Sequence, residues 1–410
     1  MATKQPPASA ASTPARPMRN SSVVFHLPVC LFLAGLLPPN ALAQDPAKKE
    51  TPKAADAKGS DSYATKDGKK ERGVEIVELS LTSLKAKKGT ETKDVPANQV
   101  LSVEWGNPPE ALAAARSALE RADYANAVQL FGEAERQTDR PLVKADALFF
   151  QVKAAVQGIG TDKSAAATAA DKAKSWLAAN ATHWRLPEAS LLAGRALRLA
   201  GTHAEAAAAL RELDDRSTRD GFGPVWSARA KFELAMTLLS DNKAGEARTA
   251  FQSASAAADN ALATPSADDA ELRLLKTQAK VGEGETFLGE KQWSKAESFF
   301  HSMAGGNQAE LVGAGRAGEG EAIFLAAVES KKPEQLRRAQ IALATASVLD
   351  SLSGEASAKA NYYLGKCLLA LGAEREGDTF KARANAYFQI VVTNYPTSRW
   401  AAAAKAELTK

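Results

Sequence analysis

Cysteine is almost absent from these 410 residues: there are two, Cys30 and Cys367. Cys30 falls in a leader read below as removed, so the mature chain has no intrachain disulfide and its core alone must hold it. Lone Cys367, in "YYLGKCLLALG", reads as a buried small apolar residue. Aromatic side chains make up only 6% while alanine is abundant, which suits helices packed closely through small side chains. Histidine is rare. Beyond His26 there are His183, His203 and His301, none at a metal-ligand spacing from another His or Cys. An excess of one charge is missing too. The net charge is +4, but Lys4, Arg16 and Arg19 precede residue 44 without any acid, and the remainder balances at 49 basic against 48 acidic residues. Such a balance gives no argument for nucleic acid or an anionic membrane surface. No apolar run reaches the roughly 20 residues of a membrane span.

Catalytic motifs are equally scarce. There is no P-loop and no G-x-S-x-G. "GAGRAG" (residues 313–318) matches G-x-G-x-x-G, but a dinucleotide turn needs a preceding strand, and "NQAEL" before it is helical and polar. These glycines are read as permitting a tight helix crossing. Asp214-Asp215 and Asp268-Asp269 are placed in loops between helices, solvated or capping. No catalytic residue, metal site or cofactor is expected, and the chain is read as not an enzyme.

What is there begins with an export signal over residues 1–43. Arg16 and Arg19 precede "VVFHLPVCLFLAGLL", Pro38 and Pro39 break it, and Ala41-Leu42-Ala43 offers an A-x-A cleavage site before Gln44. The location implied is periplasmic or otherwise secreted. An organellar transit peptide is the alternative, and Met18 is an alternative start. Residues 44–60, "QDPAKKETPKAADAKGS", lack any large apolar residue and read as a flexible tether.

Residues 61–106 switch to a strand pattern of four or five short strands. Asp67-Gly68 and Gly89-Thr90 mark turns, and in "VLSVEW" Leu101, Val103 and Trp105 share one face. In "GVEIVELSL" the apolar phase slips, which predicts a bulge. The run "DGKKERGVEI" followed by "VPANQVLSVEW" resembles the SH3-like or Sm-like small barrels, which implies a contact or packing module. RNA is not expected, because the basic residues are interleaved with Asp61, Glu71, Glu75, Glu78, Glu91 and Asp94.

Residues 107–410 are helical throughout. In "LERADYANAVQLFGEAERQTDRP" an interval of four sets Ala127 and Phe131 on one face, with Tyr124 and Ala134 a turn to either side. The anchors recur as Ala206 and Leu210, as Ala247 and Phe251, as Trp293, Ala296 and Phe300, and as Ala384 and Phe388. This resembles the tetratricopeptide repeat (TPR), whose second helix carries A-x3-F-x2-A and a distal proline. Gly194 and Gly365 match its first helix, and Pro109, Pro187, Pro265 and Pro333 mark helix starts. The predicted fold is mainly α: a TPR-like α-solenoid of seven helix pairs and a closing helix from Ser398, preceded by a small all-β barrel-like domain. Anchors 206, 247 and 296 lie 41 and 49 residues apart, against ~34 in the family. Because repeats bury their faces on one another, the array is expected to fold without the β domain. The ending "FQIVVTNYPTSRWAAAAKAEL" is similar to bacterial envelope repeat proteins, in agreement with the leader.

The resemblance implies a protein-interaction scaffold holding an envelope protein or an acidic peptide in the concave groove of the array. By register, groove positions are Arg195, Arg198, Lys359, Tyr362 and Lys366, with Arg116, Arg229 and Phe232 from neighbouring repeats. Ordinary solvated charge is the competing reading of these positions, and self-association through the β domain stays open. The alternative function is an accessory or catalytic component of an envelope carbohydrate-processing system with an unrecognised active site.

Overall fold

Alternating apolar side chains and two glycine turns build the N-terminal sheet. The computed structural model describes residues 60–160, 162–349, 354–373 and 378–410; the expected leader, and the expected tether apart from Ser60, lie outside them. Strands β1 (Asp61–Thr65), β2 (Lys70–Leu79), β3 (Ser83–Lys88), β4 (Glu91–Pro96) and β5 (Val100–Glu104) form one antiparallel sheet in the order β4-β3-β2-β1-β5. Gly68 and Gly89 take positive φ in the turns. The register shifts between Ile76 and Glu78, leaving Val77 exposed at the bulge. A second shift, opposite Thr65, corrects the expected face of β5: Val100, Val103 and Trp105 are buried, and Leu101 is the extra residue turned outward.

Helices follow in hairpins: α1 (Glu110–Glu120) with α2 (Tyr124–Arg136), α3 (Pro141–Gln157) with α4 (Lys163–Ala179), and α5 (Leu186–Ala200) with α6 (His203–Arg219). Next come α7 (Pro224–Ser240) with α8 (Ala244–Leu262), α9 (Asp269–Gly289) with α10 (Trp293–Ala304), and α11 (Ala309–Ser330) with α12 (Leu336–Leu349). Then α13 (Glu355–Gly372) pairs α14 (Asp378–Asn394), and α15 (Arg399–Leu408), capped by Ser398, closes the array. The fold is a TPR-like α-solenoid of helix pairs preceded by a small β domain. Pro141 therefore opens α3 rather than merely closing α2. Pro265 lies in the loop before α9, since Asp268 is the residue that caps that helix. Asp214 and Asp215 fall inside α6, not in a loop.

Five hairpins turn the same way. Ala122, Gly201, Asn242, Lys291 and Lys331 all take positive φ. In each case the next amide reaches back to a carbonyl of the preceding helix, as Asp123 N does to Ala118 O at 2.9 Å and Lys332 N to Ala327 O at 2.9 Å. This is the Schellman arrangement. Five residues beyond four of these turns stand Ala127, Ala206, Ala247 and Ala296, all fully buried. The larger anchors Phe131, Leu210, Phe251, Phe300 and Phe388 are buried as well, as is Ala384. Tyr124 and Trp293, at the first helical positions, are partly exposed. The buried anchors seat on glycine: Phe388 rests where a Cβ on Gly365 would stand 2.6 Å from its ring, and Phe251 covers Gly282 in the same way. "GAGRAG" lies within α11, where Gly318 receives the ring of Phe300.

The β domain is not an appendage. Tyr63, Ile76, Leu84 and Val103 share one apolar core with Leu112, Ala115, Phe131 and Val143 of α1–α3. Trp105 Nε1 donates to buried Asp146 on α3 at 3.0 Å. The expected independence of the helical array therefore meets a shared core.

Two substitutions should move stability in opposite directions. Phe251→Ala is expected to cost about 3–5 kcal/mol, because the ring is fully enclosed. Ala122→Gly is expected to gain ~0.5–1 kcal/mol by relieving a left-handed alanine. Urea titrations check both. A fragment spanning 107–410 should retain slow hydrogen exchange from α5 onward and lose it in α1–α3; full protection of α1–α3 would show that the sheet is dispensable to them.

Candidate functional site

The odd-numbered helices pack on one another in sequence, α3 on α5, α5 on α7 and so on to α15, whereas each even-numbered helix meets mainly the helices adjacent to it in the chain. The odd helices therefore form the inner layer, where the sequence placed a groove lined by cations. The structure brings those residues into that layer but turns their charges against carboxylates of the adjoining repeat. Arg195, only 4% exposed, donates through Nε to Glu233 on α7 at 2.8 Å and through Nη2 to the same oxygen; Arg198 follows at 3.4 Å. Arg229 makes a two-pronged contact with Glu271 on α9, at 2.8 and 2.6 Å, and reaches Asp268 at 3.0 Å. Lys359 sits between Glu321 on α11, at 2.7 Å, and Glu285 on α9, at 3.2 Å. Lys366 pairs with Glu407 on α15 at 2.9 Å, and Arg116 with Asp146 at 3.5 Å.

The two aromatic candidates are also spent on packing. Phe232 is buried edge-on to Phe251, with centroids 5.9 Å apart, and Tyr362 packs among Tyr363, Phe388 and Trp400. The expected free basic groove is therefore corrected to a neutral ladder of inter-repeat ion pairs. A buried charge is tolerated only with a partner. Arg195, Arg229 and Lys366 each find theirs about one repeat away, at offsets of 38, 42 and 41 residues, whereas Lys359 also reaches Glu285 at 74. Glu188 and Glu285 belong to that ladder; Glu188 accepts from Lys153 at 2.8 Å.

Glu285 joins three helices of the inner layer, tying α9 to Lys359 of α13 and Arg399 of α15. Burial alone would raise its pKa, but Arg399 and then Lys359 hold it down at about 2. Lys359 is raised: burial opposes its charge, and Glu321 and Glu285 more than compensate. Tyr363 donates to Glu321 at 2.7 Å. Burial pushes the Cys367 thiol up to about 12, so it is no ready nucleophile near neutral pH. His183 is driven down to about 4 by burial and by Arg185. His203 contacts Asp241 at 3.2 Å and His301 contacts Glu319 at 2.8 Å. Cys367 and His183 are buried in packing, whereas His203 and His301 lie on the outer helices α6 and α10.

A second set of contacts was not foreseen. The β domain runs along the edge formed by loops that lead into odd helices and touches four in succession. Asp61 accepts from Arg140, before α3, at 2.7 Å. Ser80 forms a backbone bridge with His183, before α5. Asn98 donates to Gly221 O, before α7, at 3.4 Å. Lys66 reaches Asp268, before α9, at 2.9 Å. Leu81 packs against Leu186, Leu213 and Phe222 beneath these contacts. Single contacts between residues as far as 202 positions apart leave no periodic signal in the sequence.

No protein-family profile matches the chain, and no curated protein is similar to it in sequence. Among solved structures, a tetratricopeptide repeat protein from Parabacteroides merdae overlaps it with a TM-score of 0.49 at 12% identity, covering 73% of this chain and 96% of that one. The C-terminal part of a TPR repeat-containing protein from Cytophaga hutchinsonii gives 0.38 at 12%, covering 72% and 98%. A Rap protein complexed with competence and sporulation factor gives 0.39 at 12%, covering 72% and 75%. The fold assignment rests on the hairpin packing described above.

Acid should loosen the ladder. A carboxylate whose pKa is depressed by folding adds stability above its ordinary value of 4.5, and that stability is lost as pH falls toward about 2. The urea midpoint of the wild type is expected to drop across this window more steeply than that of Glu285→Gln, which should be less stable at neutral pH. Parallel curves for the two proteins would remove Glu285 as the acid-sensitive node.

Proposed function

We propose that this chain is an exported, non-enzymatic scaffold of the bacterial cell envelope that holds a protein partner on its repeat array. One observation carries the reading: the array already clasps a folded domain, through four successive inter-helix loops. A solenoid repeats its surface along one axis, so an extended partner meets the same geometry again and again. Inner-layer charge is used up in cross-bracing, which suits a rigid support. The sheet order, with β5 returning beside β1 after the 3₁₀ turn Ala97–Gln99, supports the SH3-like or Sm-like reading of the β domain as a contact module. Export rests on the apolar run and on Ala41-Leu42-Ala43. With the groove cations already neutralised, a partner drawn by charge must use another face.

The test is in vivo cross-linking of the native protein, followed by purification and mass spectrometry. The expected result is a mature N-terminus at Gln44 and one dominant protein partner from the envelope fraction. An intact leader in the soluble cytoplasm would overturn export, and a chain cross-linked to no protein would overturn the scaffold.

A further inference from the structure

The cations expected to line the groove are paired, and among the described residues five others without ion pairs gather at one edge of the array. Lys291 in the α9–α10 turn, Lys295 in the first turn of α10, Lys331 and Lys332 in the α11–α12 turn, and Arg337 at the start of α12 enter no ion pair among the described residues. All five lie at the edge made by turns from odd to even helices. The β domain holds the opposite edge. Between the α9–α10 turn and α12 opens a cleft of 680 Å³, lined by Lys291, Trp293, Lys295, Gln335 and Arg338 among others. Its walls are tied by Arg338 to Glu297 at 2.6 Å and by Trp293 to Glu329.

The outward face of α12 differs from its counterparts. On α8 the exposed positions include Glu246, Thr249, Gln252 and Asp259, and on α10 they include Ser294, Lys295, Ser298 and Ser302. On α12 the stripe at helical spacing is Arg337, Ile341, Ala344 and Val348, with Ile341 70% and Val348 78% exposed. Arg337 and Arg338 also stand near the N-terminus of α12, whose first turn has no acid, so they oppose the helix dipole. Folding gains little from that arrangement, whereas an incoming carboxylate gains from it. A cleft reaching Arg338 on the same helix as an apolar stripe fits a polypeptide better than a flat bilayer.

We propose that this edge is the docking site for an acidic segment of the partner protein. Its carboxylates meet Lys291, Lys295 and Arg337, and its apolar side chains lie along Ile341 and Val348. The assignment rests on the scaffold reading and adds to it a place and a chemistry. It combines charge complementarity with an apolar anchor, the usual composition of a protein interface.

The mature chain, 44–410, is panned against a displayed library of random dodecapeptides, and the enriched peptides are synthesised for fluorescence anisotropy. Expected are sequences rich in Asp or Glu with Leu, Ile or Phe, binding more weakly as salt rises. Lys291→Glu/Lys295→Glu and, separately, Ile341→Ser/Val348→Ser should each weaken them about tenfold. These positions are exposed or at the rim, and circular dichroism confirms that the variants fold. Enriched peptides without acidic bias, peptides indifferent to both variants, or no enrichment would each overturn the site. So would a wild-type dimer dispersed by Ile341→Ser/Val348→Ser, or displacement of the peptides by phosphatidylglycerol vesicles. A cross-linked partner retained by both variants would remove this site and leave the scaffold standing.

Discussion

Close approach of helices adjacent in the chain, both within a hairpin and between successive hairpins, governs the rest of the structure. Phe251 against Gly282, Phe300 against Gly318 and Phe388 against Gly365 let large rings fill space that any Cβ would take. Each glycine weakens its own helix by roughly 1 kcal/mol relative to alanine, and enclosure of the ring offsets this. With chain neighbours packed this closely, the odd helices come into contact with one another. Long charged side chains on their facing surfaces then lose water and must find partners. That is why Arg195, Arg229 and Lys359 reach carboxylates of the adjoining repeats.

The same step explains which readings survived from the sequence. The anchors were legible because a buried face repeats at helical spacing, and Ala127, Phe131, Ala247 and Phe300 need nothing beyond their own hairpin to be read. The hairpin turns were partly legible through Gly201; Ala122 and Lys331 hide the same left-handed turn behind unsuitable residues. The groove was not legible. Register places Arg195 on the inner face correctly, but whether that face meets water or another helix depends on curvature, which no single repeat encodes. A carboxylate about one repeat away from each cation was the available signal, and irregular repeat lengths blur it.

The small β domain shows a different limit. Its strands, turns and bulge follow from alternation and glycine, apart from Leu101, where a second bulge reverses the phase. Its position does not. Lys66 to Asp268 and Asn98 to Gly221 are isolated polar contacts. Only the apolar seat of Leu81 and the core shared with α1–α3 give the interface hydrophobic weight.

That placement makes the two edges of the solenoid unequal. Along one, successive loops are tied to a sheet fixed on α1–α3, so the first nine helices cannot change curvature without breaking Lys66–Asp268 or the contacts before it. Beyond α9 the described residues of the sheet make no such tie, and bracing passes to Glu285, which joins α9 to α13 and α15. The two braces meet on one helix: α9 carries the β-domain contact at its N-terminal cap and the ion-pair node four residues before its C-terminal end. Lys291, in the lining of the cleft, lies two residues past the end of that same helix. A partner held at the proposed site would therefore load the helix that carries both braces.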